Sequence, residues 1–396
     1  MPDHTFLDLQ NGFYNAISQG LGFAPRSPFQ LIQPSPPLVS TTNQDNTLWE
    51  YFNNIPPASL SQNYIASGGS QFFSNYKGLL SALDAPRGAF EQTVGPNVYS
   101  AWLSYVRSAS HRPAMNQQPQ LFLNWASLQY PDIADAGASQ LSQMQLDPIA
   151  SAQMEILSVY PSPTPPDWSH NYADLVQQLA SAPSRTFQVS SSSMNCDVSQ
   201  SWTQGEHSGI FGLWSGSSSE SDYSAQFADS DIEVNATFDH ATTFHAAPGP
   251  WYSSAAMGNA YANQASPPWK PNWTINWRNT FDAHEGNIAR LTVNLIVVSE
   301  MSVRVTSSAK FSTDQQNRIK QNSGAGVWPI YTSSSHSGAS TTVEFNNAGN
   351  MTVQIASEPN IPIVIGCSVL PVELFVGHAM PVGAPSEARE MARDAG

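Results

Sequence analysis

The residues of this chain that could do chemistry are spaced for little of it. His240 and His245 lie five apart, which on a regular strand places them on opposite faces. His284-Glu285 lacks the second histidine of a zinc-protease helix. Ser307 and Lys310 fit S-x-x-K, but the match follows a strand and no K-T-G element accompanies it. Gly212 to Gly216 reads GLWSG, which is not the G-x-S-x-G elbow of a hydrolase. Asp229, Asp231, Glu233 and Asp239 share one parity of a strand and form an acidic ladder. Oxygen ligands at i and i+2 suit Ca²⁺ in part, yet a strand alone rarely completes six ligands and the EF-hand spacing is absent. The ladder therefore predicts a solvated face, with no metal and no cofactor. Cys196 and Cys367 are the only cysteines, too few for a disulfide framework and without metal-ligand spacing, though one bridge between them is open.

Two stretches suit binding better than catalysis. Gly205 to Ser221, GEHSGIFGLWSGSSSES, places Ile210, Phe211, Leu213 and Trp214 among glycines and serines. Such a tip suits insertion at a membrane surface or contact with a partner subunit, because Trp and Phe favour the headgroup region. The alternative is a tip folded back on its own core. Pro248 to Phe281 holds Trp251, Tyr252, Tyr261, Trp269, Trp273 and Trp277 among prolines. If 272–278 is extended, Trp273 and Trp277 share a face with Ile275. Flat aromatic surfaces of this kind bind sugar rings or choline-type headgroups, and Trp251, Tyr252, Trp269, Trp273 and Trp277 are the candidate ligand-binding residues. An aromatic minicore under a long loop is the alternative.

Composition narrows the partners. A formal charge of −15 with only 15 Lys and Arg in 396 residues argues against a nucleic-acid backbone, whose nonspecific affinity comes from clustered cations. Charged residues make up 11%, less than half the usual quarter, so polarity comes from Ser, Thr, Asn and Gln. Uncharged polar groups are less costly to bury than ions, which suits a secreted protein or one that packs against copies of itself. The opening MPDHTFLDLQNGFYNAI has neither the basic nor the long apolar region of a signal peptide. No window approaches eighteen apolar residues, so a soluble chain is expected. Asn235-Ala-Thr, Asn272-Trp-Thr and Asn350-Met-Thr are glycosylation sequons, meaningful only in a secreted eukaryotic chain.

The elements that must position these residues fall into two halves. From Asp45 to Ala182 the apolar period is helical, as in Phe72, Phe73, Tyr76, Leu79, Leu80 and Leu83, with Ser70 a candidate cap. Asp147-Pro148 caps a second helix and Asp167 a third, after the Pro161 to Pro166 linker. Beyond Pro183 the period is two. Phe187 and Val189 alternate, then Met194, Cys196, Val198 and Trp202 alternate in opposite parity, which predicts a bulge inside 190–193. Asp231 to His245, Arg290 to Thr306, the hairpin 341–355 across Asn346 to Asn350, and a two-sided apolar strand from Ile361 to Val376 complete the set. The reading is an α+β protein: a helical N-terminal half (1–182) packed on an antiparallel, sandwich-like β half with long strands (185–380), then a tail (381–396). The long Ser/Thr-rich strands resemble those of β-pore formers in general pattern alone, an analogy rather than a family match. The expected function is a non-enzymatic, toxin-like binding protein that forms a homo-oligomer, with membranes or glycans as partners. The competing expectation is a hydrolase or metal-dependent enzyme with an aromatic, His-lined pocket between helices and sheet, drawing on His207, His240, His245 or His284.

Overall fold

A computed structural model describes residues 5–23, 29–32, 38, 44–57, 70–85, 88–108, 113–161, 164–194, 212–214, 221–331 and 338–377. Helices dominate the N-terminal half. They are α1 (Phe6–Gly20), α2 (Gln44–Asn53), α3 (Phe72–Ser81), α4 (Gly88–Val94), α5 (Pro96–Ser108), α6 (Gln118–Gln129), α7 (Pro131–Met144), α8 (Pro148–Ser158) and α9 (Tyr172–Ala180). The expected α+β architecture is observed, and α1 precedes Asp45, from which the helical period is read in the sequence. Thr5 and Asp8 form a capping box for α1, and Leu9, Phe13 and Ile17 recur at four-residue spacing to bury one stripe.

Local chemistry sets several other boundaries. Asp147 accepts from the Ala150 amide at 2.8 Å, and Pro148 begins α8 as expected. The third cap is not Asp167 but Asn171, which makes a reciprocal box with Asp174. Asp167 loses that role because its main-chain and side-chain oxygens are engaged elsewhere. Gln71 rather than Ser70 precedes α3, without a side-chain cap bond.

The β half is built from β2 (Arg185–Ser190), β3 (Ile232–His245), β4 (Arg290–Ser307), β7 (Ala339–Phe345), β8 (Met351–Ser357) and β9 (Ile363–Pro371). β1 (Phe29–Leu31) joins them from the N-terminal half, and β5 (Gly326–Val327) pairs β6 (Ile330–Tyr331) apart. The remaining helices are α10 (Ser221–Ala228), α11 (Ser254–Ala262), α12 (Trp277–Phe281), α13 (Thr313–Asn322) and α14 (Val372–Phe375). The seven-stranded antiparallel sheet runs β1-β9-β4-β3-β2 and forks, because β4 pairs β9 through its first part and β8 through its second.

The fork lies at Glu300. Its φ of +50° is the left-handed region, and it falls between the last β9 pair, Val298 with Ile363, and the first β8 pair, Ser302 with Ala356. A left-handed residue kinks a strand and re-aims the residues beyond it. Burial changes there too. Leu291 to Ser299 are buried on both faces, with α2, α9 and α14 packed on the strand, whereas Met301 to Thr306 alternate as the sequence predicts.

Two strand expectations are corrected. β2 ends at Ser190 and the chain turns, the Ser193 amide donating to the Ser190 carbonyl at 3.1 Å, where a bulge was expected. The continuation through Cys196, Val198 and Trp202 lies outside the described residues. The last strand stops at Pro371, since proline cannot extend the ladder, and α14 follows. The hairpin β7–β8 is as expected. Asn346 Oδ1 accepts from the Ala348 and Asn350 amides at 2.9 and 3.0 Å, and Gly349 supplies a φ of +83°. One hydrophobic core runs from Leu9 and Phe52 through Leu79 and Phe122 to Leu291 and Val369, across both halves.

Candidate functional site

Leu213 and Trp214, expected at an exposed contact tip, are buried at 1% and 4% exposure. Trp214 bridges to Val327 and packs on Tyr223, with ring centroids 5.9 Å apart. The Leu213 amide donates to Ser224 Oγ at 3.0 Å, and its carbonyl accepts from the Trp328 amide at 2.8 Å. These two side chains are core, because burial of so much apolar area is available on the molecule itself. Ile210 and Phe211 lie outside the described residues.

The aromatic loop is likewise a minicore. Trp251 is fully buried among Phe72, Phe73, Tyr76, Trp168 and Tyr252, and its indole donates to the Asp167 carbonyl at 2.7 Å. Trp269 is buried, donating to the Asn263 carbonyl at 2.6 Å, and Trp277 packs on Tyr261 and Phe281. The extended face expected over 272–278 does not form. Asn272 has a φ of +60° and Trp277 begins α12, so Trp273 stands apart, 46% exposed beneath the Lys270 ammonium at 5.0 Å. The five candidates therefore do not converge on one ligand surface. Tyr252 is packed against Phe72 and Phe375, and burial pushes its phenol well up.

The histidines are also dispersed. His240 Nδ1 lies 3.1 Å from the Ala182 carbonyl, and His284 is exposed on a turn. His245 Nδ1 lies 3.1 Å from the Val293 carbonyl and 3.0 Å from Asn294 Oδ1. His207 is outside the described residues. A cavity beside His245 and Trp168 does sit between helices and sheet, but at about 10 Å³ it admits one water. Ser307 is buried and bonded to Ser230 at 2.7 Å while Lys310 is exposed, so S-x-x-K is structural. Among the described residues no three His, Cys, Asp or Glu side chains could hold a metal, and Asp229 follows α10 rather than standing on β3. Cys367 is free and buried, its thiol pushed up to about 12 by burial; Cys196 is outside the described residues.

What remains open is an edge. β2 closes one side of the sheet, and among the described residues no strand pairs its outer side. Phe187 and Val189 face inward, buried at 8% and 5%, with Phe187 packed on Phe13 of α1 at 6.0 Å. The ladder phase follows from the Ser191 amide, which donates to the Ile232 carbonyl at 2.9 Å. Antiparallel bonding alternates, so Arg185, Phe187 and Val189 bond to β3, and Thr186 and Gln188 aim their amides and carbonyls outward.

The other edges are guarded. β1 is three residues long, and α13 with the 323–325 turn packs on β7, which also carries Glu344. β2 has only Arg185 as a charge, and neither proline nor bulge. Beside it lies a cleft of about 160 Å³ lined by uncharged Asn15, Gln19, Gln188, Ser190 and Ser193, together with Met194. The alternation of Phe187 and Val189 marks the strand in the sequence, but nothing there marks it as an edge. No family model, curated protein or solved structure matches this chain, so its geometry alone carries the functional reading.

Proposed function

We propose that the protein is a non-enzymatic, self-associating β-sheet protein whose copies join antiparallel along β2. The observation that carries this is the edge at Thr186 and Gln188, which no strand pairs among the described residues. Two copies centred on Phe187 would place Thr186 opposite Gln188 of the second copy and the reverse, giving four main-chain hydrogen bonds across the new ladder. The low charge of the strand supports the pairing, since few ions need desolvation. The water-sized space beside His245 and the dispersal of the histidines favour this reading over a hydrolase.

Light scattering after size exclusion at tens of micromolar tests it. The expected result is a dimer or larger species for the wild type. Higher salt should strengthen assembly, because it screens the repulsion between two chains of charge −15. A wild-type monomer across that range, at low and high salt, would overturn the reading.

A further inference from the structure

Among the described residues, three buried side-chain atoms without a hydrogen-bond partner lie along one line of contact, the pairing of β1 with β9. Gln30 is fully buried, and neither its Nε2 nor its Oε1 has a partner. Ser368, opposite Phe29, is 1% exposed with its Oγ in the same state. A polar group that gives up water on folding and makes no bond costs more than one ordinary hydrogen bond contributes. β1 has only three residues to set against this.

The contacts that hold β1 down are apolar and local. The Phe29 ring lies over Gly366, where a Cβ would stand 2.3 Å from it, and it packs on Phe23 and on Tyr14 of α1 with ring centroids 5.3 and 5.5 Å apart. The Tyr14 hydroxyl donates to the Phe29 carbonyl. Past the strand, the Ile32 amide donates to the Ile365 carbonyl and the Leu38 amide to the Pro362 carbonyl, each at 3.0 Å. Among the described residues no other strand pairs this side of β9, whereas its other side is bonded along β4 from Arg290 to Val298. Gln30 stands directly opposite Cys367, so the two side chains share a face. Cys367 is fully buried, with the Thr292 side chain bonded to its sulfur.

We infer that β1 is a releasable strap, which lifts from β9 while β9 stays paired with β4. Release gives the Gln30 amide and the Ser368 hydroxyl to water and uncovers the Cys367 thiol. It also opens a strand edge without charge, Gly366 to Ser368, at the opposite side of the sheet from β2.

Thiol labelling reads the strap directly. Cys196→Ser leaves Cys367 as the one thiol of the chain, and iodoacetamide at about pH 8, followed by mass, measures its exposure. The expected result is labelling at least about tenfold faster than global unfolding allows, at a rate that hardly changes in urea below the unfolding transition, because local release exposes little surface. Gln30→Met keeps the chain length and removes both unpartnered atoms, so it should slow labelling about fivefold or more. Tyr14→Phe keeps the ring and removes the bond to Phe29, so it should speed labelling about twofold or more, and it carries the test should Gln30→Met fail to fold. Labelling with the full urea dependence of global unfolding overturns the proposal, as does a rate unmoved by Gln30→Met or, where Tyr14→Phe stands alone, by that variant. None of these outcomes depends on assembly through β2, since monomer and dimer alike would label by way of β1.

Discussion

At the scale of single residues, burial decides what a side chain is for, and two positions give clear expectations. Burial first, and the charge of Asp167 second, push the Glu155 carboxyl up from its ordinary 4.5 to about 7, so folding takes up a proton between those values. The contribution of Glu155 to stability is then fully present below 4.5 and is lost as pH rises through about 7. The rise corresponds to about 3 kcal/mol. Glu155→Gln should therefore be the more stable protein at about pH 8, by up to that amount, with the advantage gone at about pH 4. Urea midpoints at the two pH values check this, and an advantage independent of pH would count against it. Trp214 is the second position. Trp214→Ala should cost about 3–5 kcal/mol, as buried aromatic truncations do, and leave association unchanged. An unmoved melting temperature would mean that Trp214 is not held in the core.

At the scale of elements, the two edges of a strand are chemically different even where its residues look alike. Gln188 directs its amide away from β3, so Gln188→Pro removes an outward donor and no ladder bond, a position where proline is tolerated. Val189 bonds inward, so Val189→Pro breaks the pairing with Val234. The expected outcome is a folded monomer from the first variant and a protein destabilised by about 3 kcal/mol or more from the second. Assembly of Gln188→Pro equal to wild type would place the contact elsewhere. The exposed carboxylates of β3, Glu233 and Asp239, stand six residues apart on one strand, with Gln188 bonded to Glu233. Calorimetry with Ca²⁺ should show weak screening heats and no stoichiometric site, for wild type and Asp231→Asn alike. A micromolar site lost in that variant would contradict the geometry.

At the scale of the whole molecule, the two halves share their core and their sheet. β1, from the helical half, completes the sheet against β9, with Gln30 opposite Cys367 and Phe29 opposite Ser368. α2 packs on β4, and α1 lies across β2. Such a chain should unfold in one cooperative transition, with calorimetric and van't Hoff enthalpies in agreement. Two resolved transitions would show the halves to be separate folding units.

By itself the sequence determined the two periods: the helical stripe over 72–83, and the two-residue alternation of Ile232 to Asp239 and of Met301 to Thr306, along with the Asp147-Pro148 start of a helix. It also determined the Asn346 to Asn350 turn. These are legible because a few neighbouring residues are enough to say which face is apolar and where the backbone must turn. The start of α1 was equally legible in Thr5, Asp8, Leu9 and Phe13, a capping pattern in a stretch otherwise read for a leader. Only the tertiary structure decided that Leu213 and Trp214 are covered, that Glu300 hands β4 from β9 to β8, that the outer side of β2 is unpaired among the described residues, and that Glu155 is buried. Each of these depends on which distant segment arrives at a given face. Periodicity fixes that a face must be buried, and packing across the chain chooses what buries it.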